Sequence, residues 1–206
     1  MRKVLIAALI ILTVGNCSFA IERLAFNAGI SRQNPGGAVE LQSNYSFYIG
    51  GGAELVDDLI AILKFTVPAK YAGANYPMIV NINEVKDTLN YRDFTMFDLE
   101  LTGHYTFPIF EGSKINPKVF GGLGIHWLYN SVNKAGEQNV EFRGIGPEFG
   151  LGAVYRPVDN LQFDFTASVK FPYYNEYDKE NAQKIAVGLD QQIICFNFSL
   201  YYLLGF

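Results

Sequence analysis

From Ile21 onward, apolar and polar residues alternate one by one, in segments set apart by turn-forming residues at a spacing of roughly 20 to 25 residues, as antiparallel hairpins give. The clearest segment runs Leu161, Phe163, Phe165, Ala167, Val169 and Phe171 against Gln162, Asp164, Thr166, Ser168 and Lys170. The last segment repeats it. Ile194, Phe196, Phe198, Leu200, Tyr202, Leu204 and Phe206 share one face, and Gln191, Ile193, Cys195, Asn197 and Ser199 share the other. Read throughout, the pattern predicts strands near 22–32, 39–55, 59–70, 93–107, 117–130, 142–156, 161–173 and 185–206.

A period of two also suits a soluble sandwich or a lipocalin-like barrel, with the apolar face inward. The glycines separate these cases. Gly50 and Gly52 share a face with Glu54, Gly122 and Gly124 with His126, and Gly144, Gly146, Gly150 and Gly152 with Glu148. The opposite faces carry Leu123, Ile125, Trp127, Tyr129, Phe149, Leu151 and Tyr155. The interior of an eight-stranded barrel is barely wide enough for side chains, so the crowded face must be the one with glycines and charges. The bulky face then looks outward and gives lipid an apolar band. The predicted fold is an all-β, eight-stranded, antiparallel up-and-down transmembrane barrel with a polar, glycine-lined interior.

The connections agree with that fold. Short turns fall at Val56-Asp57-Asp58, Glu111-Gly112-Ser113 and Val158-Asp159-Asn160, whereas longer polar segments span 71–92, 131–141 and 174–184. Around Gln33 to Gly37 one loop on the long side is short. Short turns at one rim and long loops at the other describe an outer-membrane barrel with both termini at the periplasmic end. The echo between Val56-Asp57-Asp58-Leu59 and Val158-Asp159-Asn160-Leu161 marks two versions of one hairpin, since the segments between them share no fixed period.

Residues 1–20 read as a cleaved secretory signal: Arg2 and Lys3, the apolar run Val4 to Val14, then Ser18-Phe19-Ala20 before Ile21. That run is too short for a membrane-spanning helix, and no later stretch has the apolar length of one. Residues 21–206 then form the barrel domain. Cys17 raises lipidation as an alternative, although Asn16 stands where lipoprotein signals carry a small residue. After cleavage at Ala20, Cys195 would have no intramolecular disulfide partner. Removing Arg2 and Lys3 from 16 basic residues leaves 14 against 20 acidic, a net of −6, which argues against a nucleic-acid surface.

The signal, the glycine-bearing polar faces and the last strand ending in Phe206 resemble the small outer-membrane barrels of the OmpA, OmpX and OmpW kind. The resemblance covers the mature chain in architecture. It implies integral outer-membrane localisation after export, with contacts to outer-membrane lipids and lipopolysaccharide. It also implies that Leu200, Tyr202, Leu204 and Phe206 are read by the barrel-assembly machinery. No periplasmic peptidoglycan-binding domain is expected in addition to the barrel.

Turn positions set a register. Pairing about Asp159 puts Glu148 opposite Lys170, and pairing about Gly112 puts Asp98 opposite His126 and Glu100 opposite Gly124. With Lys64 on the neighbouring strand, the expected mid-lumen polar cluster is Lys64, Asp98, Glu100, His104 and His126, joined by Glu148, Asp164 and Lys170. Its plainest role is an ion-pair network that plugs the lumen, because buried charges need partners. A solute or proton path is the competing role, suggested by the two histidines. No close His or Cys spacing marks a metal site, and no cofactor is implied.

Some barrels of this size modify lipid A, and His126, Ser131 and Glu141 are the candidate triad for such chemistry. His126 has inward parity and Ser131 the other, and the spacing departs from the His-x-Ser pattern of the deacylases. No catalytic residue is assigned on these grounds. Tyr71, Tyr76, Tyr91, Tyr173, Tyr174 and Tyr177 lie on or beside the long segments, as an interfacial girdle or a ligand-contacting surface. The expected function is therefore a structural or surface-interaction barrel with a closed lumen, with a narrow porin-like channel as the alternative. No extracellular ligand is named by the sequence.

Overall fold

The computed structural model describes residues 21–37, 41–67, 69–72, 78–82, 85–89, 93–109, 112–130, 140–179 and 185–205. The proposed signal, Cys17 and Phe206 lie outside them. Its strands are β1 (Arg23–Gly37), β2 (Asn44–Val56), β3 (Leu59–Thr66), β4 (Ala69–Ala72), β5 (Met78–Ile82), β6 (Val85–Leu89), β7 (Asp93–Thr106), β8 (Ile115–Asn130), β9 (Val140–Val158), β10 (Leu161–Lys170), β11 (Tyr173–Lys179) and β12 (Ile185–Gly205).

Ten of these form one antiparallel sheet that closes on itself through β1 and β12, from Arg23 opposite Gly205 to Gly37 opposite Gln191. They make eight staves, because β4 continues β3 along β7, and β11 continues β10 between β9 and β12. The break between β10 and β11 comes at Pro172, which has no N–H to give to a ladder. Because β1 pairs with β12, the strand order has no free end, the condition for a sheet to cross hydrocarbon.

The turn echo forms two hairpins of one kind. Val56 pairs with Leu59 and Val158 with Leu161, each leaving two residues in the turn and a register shift beside it. Asp58 takes a positive φ of 65°, accepts a hydrogen bond from the Thr106 amide on its carbonyl and binds Arg156 through its carboxylate. Gly112, at φ 77°, turns the third short connection, where a side chain would strain the backbone.

Two expectations change. The segments 71–92 and 174–184 are not wholly loop: β5 pairs with β6 as a separate two-stranded sheet, and β11 lengthens the seventh stave to Lys179. Backbone pairing continues there after the apolar alternation has stopped, because beyond the bilayer nothing requires one face to be greasy. The described β2 begins at Asn44, the predicted start at residue 39 lies outside the described residues, and Gln33 to Gly37, expected as a short loop, continues β1. A transmembrane strand needs about 9–11 residues, whereas β9 has 19 and β12 has 21.

Candidate functional site: the lumen

Burial alternates along the described staves, and the exposed set is the apolar one. Phe47 (62%), Leu101 (60%), Leu123 (59%), Phe149 (59%) and Leu151 (67%) stand outward, while Glu54, Asp98, Glu100 and His126 are fully enclosed. The inward parity expected for the polar cluster is the parity observed.

The register follows the turns. Asp98 lies opposite His126, Glu100 opposite Gly124, and Glu148 opposite Lys170. Two lysines then cross the lumen. From the third stave, Lys64 places its ammonium 2.7 Å from Glu100 Oε2 and 3.1 Å from Glu148 Oε2, the latter three staves away. From the seventh stave, Lys170 reaches Asp98 Oδ2 at 2.8 Å and Glu100 Oε1 at 2.6 Å on the fourth. Asp98 Oδ1 meets His126 Nδ1 at 2.8 Å, and the Ser168 hydroxyl donates to Glu148 Oε1 at 2.8 Å. Gly50 and Gly124 flank Lys64 and Glu100 in the ladder. A Cβ at Gly124 would come within 2.8 Å of Glu100 Cγ. The glycines are room for the ions.

His104 and Asp164 do not join that network. His104 is four residues beyond Glu100, roughly 13 Å along the strand at about 3.3 Å per residue, and belongs to a second layer nearer the short turns. There its ring stacks on Phe120 (4.8 Å, 11°) and its Nε2 lies 2.7 Å from Thr102 Oγ1. Asp164 is bonded to Lys118 and receives a hydrogen bond from Gln162 Nε2 at 2.8 Å. The Lys118 ammonium also sits 4.5 Å from the centre of the Tyr201 ring. A Cβ at Gly150 would strike the Phe120 ring, so Phe120 lies over that glycine.

Sequence reasoning missed Lys118, Phe120, Tyr48 and Tyr201 as lumen residues. Their parity was readable: Lys118 and Phe120 match Gly122, Gly124 and His126, and Tyr48 matches Gly50 and Gly52. The interior is also polar only over part of its length. At the long-loop end it holds Phe94, Met96, Leu128, Phe142, Tyr174 and Ile193, each nearly or wholly inaccessible. Toward the short turns it holds Ala25, Ile60, Ile62 and Leu203. At that rim Arg23 bonds Glu54 and donates to the Asp159 carbonyl at 2.9 Å, while Arg156 donates to Gln162 at 3.0 Å and to Asp58 at 2.7 Å.

Between the two layers, Tyr48, Lys64, His104, Phe120, Asp164, Asn197 and Tyr201 line a void of about 10 Å³, at the lower limit for one water. Asp98, Glu100 and His126 bring ligand atoms within 4.8 Å of one another. Lys64 and Lys170 occupy the oxygens a metal would take, so they serve as built-in cations. Of His126, Ser131 and Glu141, His126 is bonded to Asp98 inside and Glu141 is paired with Arg143 at 2.6 Å on the outward parity, so those two are kept apart; Ser131 lies outside the described residues. Of the girdle tyrosines, Tyr173 is exposed and Tyr174 is buried in the lumen; the side chains of Tyr71, Tyr76, Tyr91 and Tyr177 lie outside what the structure describes.

A closed antiparallel barrel with an apolar exterior and charges enclosed at mid-depth has the fold of the small outer-membrane β-barrels. Solved structures of that class share it. Neisserial surface protein A aligns at TM-score 0.58 and 13% identity, over 87% of this chain and 96% of that one. The outer membrane protein OprG from Pseudomonas aeruginosa aligns at 0.55 and 12%, over 88% and 96%. A major outer membrane protein from Thermus thermophilus aligns at 0.60 and 11%, over 88% and 98%. At such identities the likeness is one of fold. No protein-family model and no curated protein sequence matches the chain.

Proposed function

We propose that the protein is an integral outer-membrane barrel whose lumen is closed to solutes, acting as a structural or surface-contact protein through its long-loop end. The observation that carries this reading is the stacking of the interior. Crossed ion pairs lie in the middle, aromatic rings lie next to them, and buried apolar side chains lie on both sides of them. A permeating ion would have to displace Lys64 or Lys170 from carboxylates in a low-dielectric space, which leaves buried charge uncompensated. The long β9 and β12 and the separate β5–β6 hairpin support a role for the loop end, since they extend the protein beyond what a bilayer requires.

Outer-membrane lipids and lipopolysaccharide are the partners of the belt in this reading. The assembly machinery would recognise the last strand, on which Leu200, Tyr202 and Leu204 stand outward. No chemical reaction is assigned. A narrow hydrophilic path is the competing reading, and one observation favours it: Asn27, Ser31 and Ser46 form a buried row on β1 and β2 whose polar side-chain atoms have no protein partner among the described residues.

Planar-bilayer recording on refolded protein decides between them. The closed reading predicts no unitary conductance from a preparation that shows the heat-dependent gel mobility of a folded barrel. Steady unitary steps that change on Lys64→Met would replace it with the channel.

A further inference from the structure

One cation on the outer surface has no place in the lumen network. Arg32 of β1 faces outward, between its register partners Tyr45 on β2 and Phe196 on β12. Directly beneath, toward mid-depth, the next outward row is Phe47, Ile30 and Phe198. Ile30, Arg32, Tyr45, Phe196, Asn197 and Phe198 line an open groove of about 290 Å³. The flanking aromatics are prominent: Tyr45 and Phe196 are each 56% exposed.

Depth gives the row its meaning. The outward residues of β1 run Leu24, Phe26, Ala28, Ile30, Arg32, so Arg32 stands roughly 20 Å up the barrel axis from Leu24, at about 3.3 Å per residue and ~40° of tilt. That is the loop-side border of an apolar band about 25 Å tall, where a cation is tolerated and anionic headgroups begin. Arg143, also outward, is neutralised by Glu141 at 2.6 Å. Arg32 has no ion pair with any carboxylate among the described residues.

The geometry points to a binding site for a phosphate-bearing glycolipid of the outer leaflet, with the phosphate on the Arg32 guanidinium and an acyl chain along Ile30 and Phe198. A guanidinium offers two parallel donors to a phosphate and remains charged at every relevant pH. The row above supplies charge between two rings, and the row below supplies grease alone, which is the polarity of one lipid standing in its leaflet. The inference rests on the membrane reading proposed above, which sets the long-loop end at the cell exterior.

The test uses the refolded chain in detergent micelles, titrated with bisphosphorylated lipid A, its dephosphorylated counterpart or phosphatidylglycerol, and read by native mass spectrometry. Retention of bisphosphorylated lipid A is expected to fall at least tenfold on Arg32→Gln. A similar fall is expected on removing the phosphates, and no change on Arg143→Gln. Equal retention by Arg32→Gln, or of the dephosphorylated lipid, overturns the site; equal retention of phosphatidylglycerol overturns the glycolipid assignment. Heat-dependent gel mobility is measured on the same samples, and protease protection on the same protein reconstituted in liposomes. Failure there counts against the membrane reading, whereas lost selectivity with both intact counts against this site alone.

Discussion

Lys170 illustrates how single residues work in this lumen. Its ammonium lies 2.8 Å from Asp98 and 2.6 Å from Glu100, and all three side chains are almost completely enclosed. Deleting one partner of a buried pair leaves the other charge uncompensated, at a cost of about 3–5 kcal/mol. Lys170→Met is therefore expected to lower stability by that order in urea titration of the lipid-refolded barrel, read from the folded and unfolded gel bands. Making Asp98 and Glu100 apolar as well, which leaves Lys64 paired with Glu148, should recover part of the loss, because hydrophobic substitutes for buried ion pairs are often neutral. Gly150 is a steric counterpart. Gly150→Ala drives a methyl into the Phe120 ring and should cost about 1–3 kcal/mol, measured in the same titration and relieved by Phe120→Leu.

Among the elements, the alternating staves were legible in the sequence because the bilayer demands a greasy side chain at every second position. The glycines told which face was inward, and the turn positions carried the register to Asp98–His126 and Glu148–Lys170. The lumen was less legible. Inside a narrow barrel, any side chain that fills space is acceptable, so Phe120, Tyr201 and the apolar layers leave no mark beyond their parity. Counting charges alone found Asp164 without Lys118, its partner, and placed His104 one layer too high. Above the membrane the two-residue period has no physical cause, and β5, β6 and β11 were read as loop for that reason. The belt itself is testable at one mid-strand position. Leu123 is 59% exposed in the middle of β8, and Leu123→Arg should destabilise the folded barrel by about 2–4 kcal/mol. Thr102→Val, which faces the lumen from the adjacent stave, should leave lipid insertion intact by liposome flotation.

At the scale of the whole molecule, the structure inverts a soluble protein: ions and hydroxyls are enclosed while phenylalanine and leucine form the surface. The proposed structural role and the proposed lipid site at Arg32 alike need that surface to face hydrocarbon. The chain has a single tryptophan, Trp127, on the outward parity of β8, stacked on Phe97 at 4.6 Å near the loop-side end of the strand. Its fluorescence, excited selectively over the tyrosines, reports that face with no competing tryptophan. In liposomes of phospholipids brominated at defined acyl positions, emission should be strongly quenched, and more by bromines near the headgroup than by those at the chain ends. Emission indifferent to bromine at every depth, from protein that stays in the aqueous phase, would contradict the outward apolar face.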